Sequence, residues 1–347
     1  MSPEVSSRLN SLRAIAALVV FLGHFYSVVF PFKYFYPFSL VNHEAVVVFF
    51  VLSGYVIAFA VRTKKRSLVE YLSSRISRIY IVIVPVLLLT LVADSIGGLL
   101  LDGHRGLPSP TSSIKKVILC MFSLQESWQS TQIFSNSPLW SISYEFQYYV
   151  IFGLFTYLSG WRRWIGVFVA SMIAGPQILL LLPCWLTGVL VFHIHSLHIN
   201  VGDRKRISRY WLGFSGLLLL VTIFLKGAFL NPNPLRIEGL SYSGQFLSDY
   251  CISMFVGLFV YSFTAGYFPG EGLFHKLLLP LCAVSFSLYA VHLPLFELAR
   301  GLGVDSGLGV LLALSIVSVI TVGFYMLFER RHRSLNTFLL SLTKKYN

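Results

Sequence analysis

An arginine and a histidine, Arg13 and His24, lie on one apolar stretch, Leu9-Asn-Ser-Leu-Arg13-Ala-Ile-Ala-Ala-Leu-Val-Val-Phe-Leu-Gly-His24, with nothing charged between them. On a helix, eleven steps of about 100° return to nearly the same face, roughly 16 Å further along. An ionisable side chain that deep in an apolar segment is costly, and histidine is the side chain best suited to take up and release a proton near neutral pH. A polar residue packed against a neighbouring helix would need the same placement, so both readings stand.

Four more groups carry side chains of chemical interest. In Glu70-Tyr-Leu-Ser-Ser-Arg75-Ile-Ser-Arg78-Ile-Tyr80, Arg75 and Arg78 are three apart and share a helical face. Two guanidinium groups there suit a phosphate-bearing ligand, or equally lipid headgroups. In Pro138-Leu-Trp140-Ser141-Ile-Ser-Tyr144-Glu145-Phe-Gln147-Tyr148-Tyr149, the residues Ser141, Glu145 and Tyr149 recur every four positions. A carboxylate entering an apolar helix needs a partner, which a histidine, a hydroxyl or an arginine could supply. In Ser285-Phe-Ser287-Leu-Tyr289-Ala-Val-His292-Leu-Pro294, Tyr289 and His292 are again three apart, and Pro294 can kink the helix and loosen a backbone carbonyl. Phe49-Phe-Val-Leu-Ser53-Gly54-Tyr55 places a small pair where a helix or a substrate could approach the backbone closely.

The composition says what must position these groups. Of 347 residues, 56% are hydrophobic and 12% charged, and the mean hydropathy is +0.73. Soluble domains carry about 25% charged residues, so the chain reads as an all-α integral membrane protein. Spans of about 20 apolar residues are predicted at 10–30, 43–61, 79–101, 141–158, 164–182, 183–198, 210–226, 247–268, 277–298 and 307–328. That is a bundle of about ten transmembrane helices in one domain, 1–347, with the division at Pro183 the least distinct.

The formal charge of +13 follows from topology rather than from a nucleic-acid partner. With both termini cytoplasmic, the outer side holds only Lys33, Arg105, Lys115, Lys116, Lys226, Arg236 and Arg300, and the other 20 of the 27 Lys and Arg residues fall on the inner side. A wrong helix count would blur that bias. Arg13 then lies near the cytoplasmic mouth and His24 deeper. In the outer segment 102–140, the apolar run Val117–Leu124 reads as an interfacial or re-entrant helix. The outer loop 227–246 contains Asn231-Pro-Asn-Pro234 and reads as irregular. Cys120, Cys184, Cys251 and Cys282 show neither metal-ligand spacing nor a disulfide framework and read as packing residues, so no metal is expected.

Taken together these motifs resemble the membrane acyltransferase-3 family, bacterial multi-spanning enzymes that acylate surface and secreted sugars. The resemblance rests on Leu12-Arg13-Ala-Ile-Ala-Ala-Leu with His24, Phe49-Phe-Val-Leu-Ser-Gly54, Arg75-Ile-Ser-Arg78-Ile-Tyr80, Leu139-Trp-Ser-Ile-Ser-Tyr-Glu145 and Ser287-Leu-Tyr-Ala-Val-His292, in order over nearly the whole chain. The family's arginine–histidine pair falls on Arg13 and His24, its paired arginines on Arg75 and Arg78, and its Trp-Ser-motif glutamate on Glu145. Two departures are visible: no proline directly follows Arg78, and the C-terminal pattern reads Glu329-Arg330-Arg331.

The resemblance implies O-acetyl transfer from cytoplasmic acetyl-coenzyme A to a hydroxyl of a glycan, such as an O-antigen or exopolysaccharide, outside a bacterial inner membrane. It implies His24, Glu145 and Arg13 as catalytic residues and Arg75, Arg78 and Arg13 as donor-binding residues. Ser53, Trp140, Ser141, Tyr149, Tyr289 and His292 remain as substrate or structural candidates. No SGNH-type esterase domain of the kind many relatives carry is expected at the C-terminal end. The rival reading is a transporter or flippase of a lipid-linked saccharide, against which the sequence shows no inverted repeat.

Overall fold

A computed structural model describes residues 3–64, 66–100, 110–197, 210–222, 236–265, 271–304 and 307–345. Among these residues every regular element is helical. The helices are α1 (Pro3–Val28), α2 (Tyr36–Leu40), α3 (Asn42–Thr63), α4 (Leu68–Leu100), α5 (Pro110–Met121), α6 (Leu139–Tyr157) and α7 (Gly160–Ser196). They continue with α8 (Tyr210–Thr222), then α9 (Phe246–Ala265), α10 (Glu271–Gly301), α11 (Gly307–Leu327) and α12 (His332–Lys345). Lys65, Arg105, Pro108, Arg204, Lys205, Arg206, Arg209, Lys226 and Asn231-Pro-Asn-Pro234 lie outside the described residues.

Seven segments of the described residues are long and apolar enough to cross a membrane, lying in α1, α3, α4, the first part of α7, α9, α10 and the stretch that begins with α11. The remaining three predicted spans correspond to shorter or more polar helices. Leu182–Ser196 and Tyr210–Thr222 are short. In α6 the buried polar side chains of Ser141, Ser143 and Gln147 and the carboxylate of Glu145 lower the hydropathy. Polar groups buried in such a helix are there to meet partners, and α6 is where the candidate chemistry concentrates.

Two other differences have clear physical causes. The long apolar stretch 164–198 divides into Gly160–Leu180 and Leu182–Ser196, beside the predicted division at Pro183, and carries in addition a kink at Gly175, which has φ 77° and ψ 170°. A Cβ there would sit 2.1 Å from the Ser127 carbonyl oxygen, so both backbone conformation and space call for glycine. Pro176 follows and cannot bond the Met172 carbonyl, and the indole Nε1 of Trp128 donates to that carbonyl at 3.0 Å. The second difference is α12, a helix that no apolar run announces. It packs on α4 and is amphipathic, so its helicity depends on the face it covers. As for the predicted interfacial helix, α5 begins earlier than the apolar run. It leaves Ile114 and Ile118, with Phe122 just beyond it, exposed along one face.

The described chain divides into two compact units, each discontinuous in sequence, and α1, α7 and α10 contribute residues to both. The first comprises 1–23, 36–65 and 180–285. Here α3 meets the second half of α7 backbone to backbone: a Cβ on Gly54 would lie 2.0 Å from the Trp185 carbonyl oxygen, and one on Gly188 would lie 1.9 Å from that of Val51. Arg8 is buried and donates to the Phe263 carbonyl at 2.9 Å, at the C-terminal end of α9, where unpaired carbonyls welcome a cation.

The second unit comprises 24–35, 66–179 and 286–347. Its α4 and α6 are joined where the Tyr71 hydroxyl donates to the Tyr149 carbonyl at 3.2 Å and the Tyr71 ring fills the space that Gly153 leaves. The loop between α5 and α6 is anchored at the Ser123 carbonyl, which accepts from Ser143 Oγ at 2.7 Å and from Gln147 Nε2 at 3.1 Å. Glu329, after α11, accepts from the Ser287 amide at 3.1 Å and from its hydroxyl at 2.6 Å.

Candidate functional site

The second unit brings together most of the sequence-predicted residues. His24, near the C-terminal end of α1, meets His292 of α10 edge to edge, with ring centroids 5.1 Å apart and 22° between the planes. Its Nδ1 lies 2.9 Å from His292 Nε2. His292 is fully buried, and its Nδ1 lies 2.9 Å from the Leu288 carbonyl oxygen. Phe296, one turn further along α10, packs on His292 at 5.8 Å and on Phe25 at 5.7 Å, so His292 sits against an apolar aromatic surround.

Tyr289 shares this side of α10, with its ring centroid 6.2 Å from that of His292. Its hydroxyl lies 2.7 Å from Ser141 Oγ and donates to the Pro138 carbonyl at 3.1 Å. That contact ties the N-terminal end of α6 to the histidine-bearing turn of α10. Trp140 is buried edge-on against Tyr144, with centroids 5.0 Å apart, which fixes the same end of α6.

Pro294 has the effect its position implies. It has no N–H to give the Ala290 carbonyl, and Asn136 Nδ2 donates to that oxygen at 2.9 Å. The same amide group lies 3.1 Å from Thr90 Oγ1, so Asn136 links α4 to the loosened turn of α10.

A second cluster is built around Tyr149. The Tyr149 hydroxyl donates to the Glu145 carboxylate, and the Arg75 guanidinium lies over the Tyr149 ring at 5.9 Å and over the Tyr71 ring at the same distance. Arg75 also donates to Ser74 Oγ at 2.9 Å, while its buried Nε has no hydrogen-bond partner among the described residues. A guanidinium over two tyrosine rings is attracted to both ring faces. Arg78 follows one turn along α4 and is half-buried. The described hydrogen bond of Glu145 is therefore to Tyr149, and that of His24 is to His292.

Arg13 and Ser53 belong to the first unit. Arg13 is half-buried on α1. Ser53 is buried and accepts from Trp185 Nε1 at 3.2 Å, so together with Gly54 it serves the close packing of α3 on α7.

Several polar pairs escaped the sequence reading. In the first unit His43 Nε2 lies 3.0 Å from Asp249 Oδ2, and the Tyr55 hydroxyl lies 2.8 Å from His195 Nδ1. In the second, Glu126 is buried and receives the Ser130 hydroxyl at 3.1 Å; burial pushes its carboxyl up to about 7. A lone acid or histidine at the end of an apolar run carries no periodic signal, and the partners of His43 and Tyr55 are distant in sequence. Among the described residues no group of three or more His, Cys, Asp or Glu is placed to hold a metal ion.

A helical, membrane-type chain with a buried histidine and half-buried guanidinium groups fits a class of membrane enzyme, and comparison with known proteins names it. Residues 6–330 match the family described as the acyltransferase domain, acyltransferase-3, and the chain belongs to that family. It is 27% identical over 199 residues to an O-acetyl transferase of Shigella phage Sf6, covering 52% of this chain and 58% of the relative. The chain thus spans little more than half the length of that curated relative. No solved structure matches the chain.

Proposed function

We propose that the protein is a multi-spanning membrane O-acetyltransferase. It moves an acetyl group from cytoplasmic acetyl-coenzyme A to a hydroxyl of a lipid-linked or surface glycan on the outer side of a bacterial inner membrane. The bundle has about ten spans with both termini inside, which gives the inner side its excess of Lys and Arg. The observation that carries the reading is the family match over residues 6–330, within which His24 meets a second imidazole at 2.9 Å.

The chain's residues divide the work. Arg75 and Arg78 bind the phosphates of the donor from the inner side, as guanidinium groups do, and Arg13 neutralises donor phosphate or the oxyanion that forms at the acetyl carbonyl. His24 takes the proton of the acceptor hydroxyl or briefly carries the acetyl group. Glu145 and Tyr149 hold the acceptor or tune the charge beside Arg75, and Ser141, Tyr289 and Trp140 keep the mouth of α6 in place against α10.

Transfer of label from acetyl-coenzyme A labelled in the acetyl group tests this reading. Purified protein supplied with native membranes as acceptor is expected to give alkali-labile label in the glycan fraction. A transporter or a non-enzymatic assembly partner gives none.

A further inference from the structure

We infer that His292 is a positioning residue: it fixes the tautomer of His24, so that Nε2 of His24 is the nitrogen that does the chemistry. The inference rests on the catalytic reading of His24 given above.

The hydrogen bonds set the argument. The Leu288 carbonyl can only accept, so His292 Nδ1 carries the hydrogen of the 2.9 Å contact between them. In the neutral ring, His292 Nε2 is then an acceptor. The 2.9 Å contact between that atom and His24 Nδ1 needs a hydrogen, and His24 Nδ1 supplies it. A neutral His24 with its proton on Nδ1 has its lone pair on Nε2. The chain His24 Nδ1–H to His292 Nε2, then His292 Nδ1–H to the Leu288 carbonyl, is the logic by which a second group orients a catalytic imidazole. Here the second group is another imidazole, itself oriented by a backbone carbonyl. The two rings are nearly coplanar, with 22° between their planes, which suits an in-plane bond, and the Phe296 ring packs against His292.

The step balances as follows. His24 Nε2 takes the proton of the acceptor hydroxyl as its oxygen bonds to the thioester carbonyl carbon. The carbon–sulfur bond breaks, the thiolate of coenzyme A leaves, and the proton on Nε2 passes to that thiolate. While His24 is an imidazolium, its Nδ1–H bond to His292 becomes charge-assisted and stronger, which favours the transition state over the ground state.

The experiment compares His24→Ala, His292→Leu and His292→Gln, each purified and shown to melt within a few degrees of the parent, in the labelled acetyl-coenzyme A assay with native membranes as acceptor. Leucine fills the site without an acceptor; the Gln carbonyl oxygen restores one for His24 Nδ1–H. His24→Ala is expected to abolish transfer, which tests the underlying reading separately. His292→Leu is expected to lower kcat roughly tenfold or more, with KM for acetyl-coenzyme A nearly unchanged, and His292→Gln to recover most of that loss. The inference is overturned if folded His292→Leu turns over at the parent rate, or if Leu and Gln variants are equally impaired, which is the behaviour of a packing residue. Transfer by His24→Ala overturns the inference together with the reading it rests on.

Discussion

Asn136 donates its side-chain amide to the carbonyl of Ala290, 2.9 Å away, the one oxygen of α10 that Pro294 leaves without its helical N–H. Both groups are buried, and Ala290 stands between Tyr289 and the turn carrying His292. An unmet buried carbonyl costs about 1–3 kcal/mol. Asn136→Ala is therefore expected to lower the apparent Tm in detergent. Pro294→Ala gives α10 back an N–H for that oxygen, so the two substitutions together should cost less than their sum. A strictly additive double variant would show that Asn136 does not serve this carbonyl.

Gly175→Ala is expected to be far more damaging than alanine at an ordinary helical glycine. The position combines φ 77° with a Cβ site 2.1 Å from the Ser127 carbonyl. Adding the methyl should destabilise by more than about 2 kcal/mol, seen as lost yield of monodisperse protein. By contrast Gly97, with nothing within 4 Å of its Cβ site, should accept alanine.

Glu126 makes stability depend on pH. Burial raises its carboxyl from the ordinary 4.5 to about 7 in the folded chain, so the folded state holds the proton more tightly than the unfolded one. Its contribution is fully present below about pH 4.5 and is lost as pH rises through about 7. Glu126→Gln copies the protonated form. The variant should match the parent near pH 4 and melt higher at pH 8, by a difference on the order of 1–3 kcal/mol. Equal melting temperatures at pH 8 would contradict this.

Arg75→Lys keeps the charge and loses the plane that lies over Tyr71 and Tyr149. A compact ammonium cannot stack or offer a fork of donors. With Arg75 as a donor-binding residue, KM for acetyl-coenzyme A is expected to rise about tenfold while kcat changes less. Steady-state rates against donor concentration check it, and a loss confined to kcat would remove Arg75 from the donor site.

Much of this was legible in the sequence, for identifiable reasons. Apolar runs of membrane length mark α1, α3 and α4, and the effect of Pro294 on a carbonyl follows from covalent structure alone. The three-residue spacing of Tyr289 and His292 put both in one cluster. The meeting of His24 with His292 was not legible, because helix periodicity says which residues share a face and nothing about which helix that face meets. The division near Pro183 was legible, but the kink at Gly175 was not, because its cause is the approach of the Ser127 carbonyl from a distant loop. The helix α12 was hidden for a related reason: it packs on α4, and its apolar residues form no run of membrane length.

The central claim is that His24 is required for acetylation of a glycan by this protein. The most direct test is the mass of the glycan isolated from cells making the parent protein or His24→Ala at equal membrane levels. The parent should add about 42 Da for each hydroxyl acetylated, and His24→Ala should leave the mass of cells lacking the protein. The same added mass with a normally inserted His24→Ala protein would contradict the account.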